Sequence, residues 1–346
     1  MPIDVVVKSE FLTAEARSNF EGWSRGVWAG LARIAAGQGI PACRVQAVLT
    51  DDFVGEVSRL SGGKPPGAPE FTVERVGGTA VGKNISLSED GSEVAVILDA
   101  TTWNDHHEPQ VKLLNMLLIG HELAHPWIER GRIAAGLYEG VSFPSVTSTE
   151  IARSMSSILS GEYRADYLSD MIVRPFFSTG NGTERQPIGG WDILGDGYME
   201  HLEDVLGAAH PGWADLVDEY RYGRIDLESM WENLVSRLDQ TLNLLIHAQS
   251  HADAAEVPDP ITLEPIRSLA AVRLYLAESC AAFVSMVREA PLLPRVEETL
   301  RWEEDIRAVG EESIRRIWKR LGITATDNPD RSTQLDVEAP LTEDPR

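Results

Sequence analysis

The segment LLIGHELAHPWIER (117–130) constrains this chain most, because it sets two histidines and a glutamate into an apolar run that follows a β-rich stretch. His121 and His125 are four residues apart, so on a helix their imidazoles lie on one face. This spacing lets both rings take two corners of a tetrahedral zinc site. Glu122, one step round the helix, can then reach a metal-bound water and act as general base without binding the metal itself.

A catalytic zinc site needs a third protein ligand and an open fourth position. The downstream segment SGEYRADYLSD (160–170) carries Glu162 and Asp166, again four residues apart. Glu162 is the predicted third ligand, with Glu139 and Glu150 as competitors. Asp166 is predicted to accept a hydrogen bond from the outer nitrogen of a ligating histidine, which fixes the tautomer and orientation of that ring.

HELAH followed by EYRAD resembles the gluzincin group of zinc metallopeptidases. The signature of that group is HExxH and then a downstream helix with a ligating Glu and an Asp four residues later. The resemblance implies a Zn²⁺ cofactor and a protein or peptide substrate. The roles that it implies are metal binding by His121, His125 and Glu162, general-base catalysis by Glu122, and support of a ligand by Asp166.

The resemblance covers roughly residues 40–175 and also implies a sheet upstream of the HExxH helix. The edge strand of such a sheet would hold an extended substrate by β-pairing. Either EVAVILDATTW (93–103) or one arm of a hairpin expected at 71–87 would supply that edge.

Pro126 directly follows the second histidine and departs from the pattern of most peptidases of this type. A proline there lacks the N–H that would bond the Glu122 carbonyl, and its ring clashes with that group. The helix is therefore expected to kink or end near His125, downstream of both imidazoles.

Peptidases of this kind also need a donor that stabilises the tetrahedral oxyanion. Tyr198, His201 and His210 are candidates, and their spacing favours none of them. His106 and His107 precede the HExxH helix and are interpreted as loop or capping residues.

Two further pairs of residues are interpreted as structural. His247 and His251 are four apart but have no evident third ligand, so we interpret them as surface residues and not as a second metal site. Cys43 and Cys280 lie far apart and outside any CxxC motif, which is typical of buried small hydrophobic residues.

The order of strand, helix, strand, hairpin, strand and two helices predicts an α+β fold. A zincin-like domain at 1–180 would contain a small mixed sheet and the active-site helix. A mainly helical C-terminal subdomain would occupy 181–322, entered through a Gly-rich loop at about 176–200. The polar end of the chain, 323–346, is expected to be a disordered acidic tail.

The composition limits the expected partners. Asp and Glu number 54 against 31 Lys and Arg, a formal net charge of −23, which repels phosphate backbones and argues against nucleic acid. The apolar runs are too short to cross a bilayer, and the N-terminus lacks the basic leader of a signal peptide. With two isolated cysteines, these features predict a cytoplasmic protein without membrane contact, of unknown oligomeric state.

Zinc-dependent hydrolysis of peptide bonds is the leading interpretation. A peptide deformylase would also use HExxH but with a Cys ligand, and Cys43 lies far upstream without the neighbouring motif expected. A catalytically inactive zincin-like binding or regulatory module is the main alternative, and Pro126 is the feature that favours it.

Overall fold

The computed structural model describes residues 3–62, 74–75, 78–79, 81–88, 90–103, 108–137, 147–179 and 186–340. The helices of eight residues or more are α1 Ala14–Gly37, α2 Phe53–Leu60, α3 Pro109–Ala134, α4 Ser148–Val173, α5 Gly190–Arg221, α6 Leu227–Ala254, α7 Ala277–Glu289 and α8 Val296–Arg320. The strands are β1 Ile3–Lys8, β2 Arg44–Thr50, β3 Glu74–Arg75, β4 Gly78–Thr79, β5 Gly82–Ser86, β6 Glu93–Asp99, β7 Ser178–Thr179, β8 Gln186–Pro187, β9 Ile323–Asp327 and β10 Thr333–Val337.

The main sheet has four strands in the order β1-β2-β6-β5. β1, β2 and β6 run parallel, and β5 joins the sheet antiparallel to β6. The central strands are nearly continuous apolar runs because both of their faces are covered. In β6, Val96 faces the core that contains α1 and α3, whereas Ile97 packs against α2. The predicted mixed α+β class with a small mixed sheet is confirmed.

The sequence predicted that helix α3 would kink or end near His125, and the predicted end is wrong. The helix continues to Ala134 with the proline inside it. The residues beyond the proline are held by packing, since Trp127 stacks on Trp28 of α1 with ring centroids 4.7 Å apart. Tertiary contacts therefore outweigh the lost backbone hydrogen bond, and the full length of α3 is kept.

The Gly-rich segment before residue 200 is not one long loop, because α5 already begins at Gly190. The backbone N–H of Gly190 donates to Asp170 of α4 at 2.9 Å. Any side chain at Gly190 would overlap Asp170 and His251. Gly190 therefore lets the start of α5 approach α4 and α6 closely. The glycine content of this segment, taken alone, had suggested a loop.

The end of the chain is also ordered over most of its length, contrary to the expected disordered tail. β9 and β10 pair antiparallel as a hairpin. Asp327 in β9 accepts hydrogen bonds from the backbone N–H groups of Ser148 and Thr149, at 2.8 and 2.9 Å. The hairpin thus binds the N-terminal end of α4, and residues 341–346 lie outside the described part.

Helix α4 takes part in both large hydrophobic cores. Ala165 and Leu168 pack in the core of the sheet, α1 and α3. Met155 and Leu159 pack in the core of the C-terminal helices. Within the described residues, no helix is long and apolar enough to cross a membrane.

Candidate metal centre and catalytic cleft

Helices α3 and α4 approach each other closely at Gly120. A side chain at this position would overlap Ser169 of α4. The hydroxyl of Ser169 donates to the Leu117 carbonyl of α3 at 2.7 Å. The missing side chain therefore lets α4 lie against the histidine-bearing face of α3.

Three donor atoms meet at this contact. The distance from His121 Nε2 to His125 Nε2 is 3.1 Å. Glu162 Oε2 lies 3.2 Å from His121 Nε2 and 3.5 Å from His125 Nε2. Ligands at about 2.0–2.1 Å from a tetrahedral zinc stand about 3.3–3.4 Å apart, so these separations fit three corners of such a site. The residues present therefore fit the zinc ion that the sequence predicts.

Asp166 bonds the ring nitrogen of His121 that lies away from the other two donor atoms. Its Oδ1 lies 2.7 Å from His121 Nδ1, so the imidazole N–H donates there and Nε2 is left as the metal-facing atom. Asp166 Oδ2 lies 2.6 Å from Nδ1 of His247 in α6. One carboxylate thus orients two imidazoles.

The electrostatics of this cluster are strongly coupled. Burial by itself lowers the pKa of His121, but the Asp166 and Glu162 carboxylates raise it well above its ordinary value. Burial by itself raises the pKa of Glu162, but His125 and His121 hold it well below its ordinary value. Each imidazole and carboxylate therefore stabilises the charged form of the other.

Glu122 lies beside the donors and faces the edge strand β5. Its Oε2 accepts a hydrogen bond from Asn84 Nδ2 at 2.7 Å. A side chain at Gly82 would overlap the Glu122 carboxylate. Glu122 is 8% exposed, and this burial raises its pKa above the ordinary value. Strand β5 therefore positions the predicted base in two ways. The Asn84 side chain bonds Glu122, and the lack of a side chain at Gly82 leaves room for the Glu122 carboxylate.

His251 is not a surface residue, contrary to the sequence interpretation, and His247 is only partly exposed. His247 is bound to Asp166 and lines the same cleft as the metal donors. His251 is 3% exposed, and its Nδ1 lies 2.7 Å from Asp170 Oδ2. Two histidines of α6 therefore pair with two aspartates of α4. The two histidines are four residues apart on α6, and the two aspartates are four residues apart on α4.

The predicted oxyanion donors lie at different places. Tyr198 lines the cleft of the described residues, and its ring stacks on His251 with centroids 5.7 Å apart. His210 instead bonds the hydroxyl of Tyr275 at 2.9 Å. His201 does not line the cleft of the described part of the chain. Position therefore favours Tyr198 among the three.

The remaining sequence candidates take structural positions or lie outside the described part. Glu150 forms a capping box with Thr147 at the start of α4 and is not a metal ligand candidate by position. Cys43 and Cys280 are free and buried, as predicted, and burial raises the pKa of each thiol to about 12. Glu139, His106 and His107 lie outside the described residues.

The cleft has a volume of about 780 Å³ and two distinct walls. One wall is the start of strand β5, and the other is helix α6 with Gln240, Asn243 and His247. The metal donors of α3 and α4 lie between them. Comparison with protein-family models, with curated proteins and with solved structures gives no match for this chain.

Proposed function

We propose that this chain is a zinc-dependent metallopeptidase with a zincin-like fold, which hydrolyses peptide bonds in the cleft between β5 and α6. The observation that carries the proposal is the triangle of His121 Nε2, His125 Nε2 and Glu162 Oε2, with sides of 3.1–3.5 Å. Two nitrogens and one carboxylate oxygen are a donor set typical of catalytic zinc, with a fourth corner left for water or substrate.

A zinc ion bound there supplies Lewis acidity and lowers the pKa of water towards neutrality. Glu122 takes a proton from the attacking water and passes it to the leaving amine. Asn84 occupies Oε2 of Glu122, which leaves Oε1 for the proton. The raised pKa of this carboxyl suits a group that must both accept and return a proton near neutral pH.

A peptide substrate is favoured by the strand beside the base. β5 is an edge strand of the main sheet, and within the described residues it pairs with β6 alone. An extended peptide can add to such an edge through backbone hydrogen bonds. It would then cross the position of Glu122.

Two observations bear on the alternatives. Helix α3 continues beyond Pro126, which weakens the argument for an inactive binding module that rested on this residue. Glu162, and not Cys43, belongs to the donor group of the two histidines, which favours a peptidase over a deformylase. The two free, buried cysteines support a reducing compartment such as the cytoplasm.

The test compares the zinc-loaded wild type with Glu122→Gln on a library of quenched fluorogenic peptides. We expect the wild type to cleave some members and the variant to bind equal zinc while losing at least about 10²-fold in kcat. A zinc-loaded, folded wild type that cleaves no peptide contradicts the proposal. Binding of one peptide partner by both proteins without cleavage would favour the inactive binding module.

A further inference from the structure

The Asp166 carboxylate needs two hydrogen-bond donors to keep one orientation. The last torsion of an aspartate side chain turns about an sp³–sp² bond, and its distribution is broad. A hydrogen bond to one oxygen therefore leaves the other oxygen able to swing. The Asp166 side chain is only 6% exposed, so water has little access to it. A second donor from the protein is therefore what fixes the plane of this carboxylate.

His247 of α6 supplies that second donor. Its Nδ1 lies 2.6 Å from Asp166 Oδ2, whereas His121 Nδ1 lies 2.7 Å from Asp166 Oδ1. The two imidazoles thus bond different oxygens of one carboxylate. A rotation of the carboxylate that shortens one contact would lengthen the other, so the orientations of all three side chains are coupled.

The His247 ring itself stands outside the group of metal donors. Its Nε2 lies 3.9 Å from Glu162 Oε2, farther than the 3.2 Å between Glu162 Oε2 and His121 Nε2. His121, Asp166 and His247 also bring donor atoms within 4.8 Å of one another, but these atoms already form the two short hydrogen bonds. This position favours an action on the metal through Asp166 over direct ligation.

Helix α6 is fixed against α4 next to His247. The Ser250 hydroxyl donates to the Tyr163 carbonyl of α4 at 2.8 Å, and His251 Nδ1 lies 2.7 Å from Asp170 Oδ2. Both contacts lie about one turn beyond His247 and set the register of α6 along α4. The Nδ1–H group of His247 therefore comes from a fixed position, from which it can impose an orientation on the carboxylate.

We propose that His247 is a positioning residue of the metal site. Its Nδ1–H group holds the Asp166 carboxylate, and the carboxylate in turn holds the His121 ring with Nε2 towards the metal position. This inference rests on the proposed function and deepens it, because it makes the metal affinity depend on α6. That helix lies outside residues 40–175, to which the resemblance to gluzincins is confined.

The test uses replacements that keep different parts of the imidazole. The side-chain nitrogen of asparagine can take the place of histidine Nδ1, and that of glutamine can take the place of Nε2. His247→Asn therefore keeps the donor to Asp166, whereas His247→Gln and His247→Ala lose it. Ser250→Ala is the control for a loosened α6, because it removes a contact with α4 and leaves Asp166 untouched.

Competition with a chromophoric chelator measures the zinc affinity of the full chain, and the visible spectrum of the Co²⁺-loaded chain reports the ligand geometry. We expect His247→Ala and His247→Gln to weaken zinc binding about 10-fold and to shift the Co²⁺ bands. His247→Asn should stay within about 3-fold of the wild type. Ser250→Ala should bind zinc as the wild type does. In an Asp166→Ala background, His247→Ala should have no further effect, since its route to the metal is already lost.

Several results would overturn the inference and leave the zinc site standing. One is a zinc affinity of His247→Ala equal to that of the wild type, and another is an equal loss in Ser250→Ala. Rescue by His247→Gln in place of His247→Asn would show that the ring acts through Nε2. An additive loss in the Asp166→Ala background would show a route that bypasses Asp166.

The fate of the proposed function is read separately. A chain that binds zinc with the expected pattern but cleaves no peptide would keep the positioning role of His247 and remove the peptidase function. A wild-type chain that binds no zinc would remove both.

Discussion

At the scale of single residues, Asp166 contacts histidines of two different helices in the candidate site. Its two oxygens bond His121 of α3 and His247 of α6, so it joins the metal donors to the far wall of the cleft. Burial raises the pKa of this carboxyl, but the surrounding His247 and His121 lower it below its ordinary value. A charged Asp166 therefore orients the His121 ring, whose Nε2 faces the candidate metal position.

Replacing Asp166 by Asn should weaken zinc binding about 10- to 100-fold, because the neutral amide is a poorer acceptor for His121 Nδ1–H. Competition with a chromophoric chelator measures the affinity. Asp253→Asn is the matched control, since Asp253 pairs with Arg288 and bonds Tyr163. Equal zinc affinity in the wild type and Asp166→Asn would show that the contact does not support the ligand.

Gly82→Ala tests the placement of the base. The new methyl group would overlap the Glu122 carboxylate and displace it. We expect kcat to fall about 10²-fold, since misplacement of a reacting group by about 1 Å has an effect of this size, while zinc content stays at the wild-type level. Gly22→Ala is the control, because a methyl group there meets nothing within 4 Å. An unchanged kcat in Gly82→Ala would argue against Glu122 as the base.

At the scale of elements, the sequence predicted the contact between α3 and α4 from the residue types that the two helices carry, but it missed the contacts that β5 and α6 make with them. The donors His121, His125 and Glu162 follow from the i, i+4 spacing and the ligand chemistry. Asn84 reaches Glu122 across 38 residues and His247 reaches Asp166 across 81, and no local pattern indicates contacts of that separation. The continuation of α3 beyond Pro126 likewise depends on packing by residues that are distant in sequence.

Glu303 of α8 joins the two helices of the site through a buried ion-pair cluster. Its carboxylate is fully buried and pairs with Arg164 of α4 and, at 3.1 Å, with Arg132 of α3. Breaking a buried pair leaves an uncompensated charge, so Glu303→Gln should lower the free energy of unfolding by about 3–5 kcal/mol. Glu304→Gln, at a half-exposed neighbour that pairs with Arg153, should cost less than about 1 kcal/mol. Denaturant unfolding measures both, and equal losses would refute the role of the cluster.

The same cluster makes a prediction for pH. Burial opposes ionisation of Glu303, but the two arginines lower its pKa from 4.5 to about 2. A lowered pKa in the folded state stabilises the fold above the ordinary pKa, and this contribution is lost as pH falls towards 2. The stability difference between wild type and Glu303→Gln should therefore shrink as pH falls from 5 to about 2. A difference that stays constant over this range would contradict the ionised pair.

At the scale of the whole molecule, the site lies where two hydrophobic cores meet. α4 contributes to both cores and carries Glu162 and Asp166, and α6 from the C-terminal half forms one wall of the cleft. The domain boundary that the composition predicted near residue 180 therefore does not separate the candidate site from the rest of the chain, because residues on both sides of it line the cleft.

Metal removal should therefore affect the stability of the whole chain. Zinc that binds the folded state alone adds about 2.7 kcal/mol at a free concentration of 100 Kd. A strong chelator should lower the Tm of the wild type and leave the Tm of Glu162→Ala unchanged. An identical shift in both proteins, or none in either, would argue against a metal that joins α3 to α4.

The most direct test of the account is the zinc content of the purified full chain, measured by mass spectrometry of the metal, for the wild type, Glu162→Ala and Glu150→Ala. Glu150 is an equivalent residue on the same helix that caps its N-terminus. The account predicts one zinc per chain in the wild type and in Glu150→Ala, and loss of most of it in Glu162→Ala. A wild type without zinc, or a Glu162→Ala chain that retains its full complement, would contradict it.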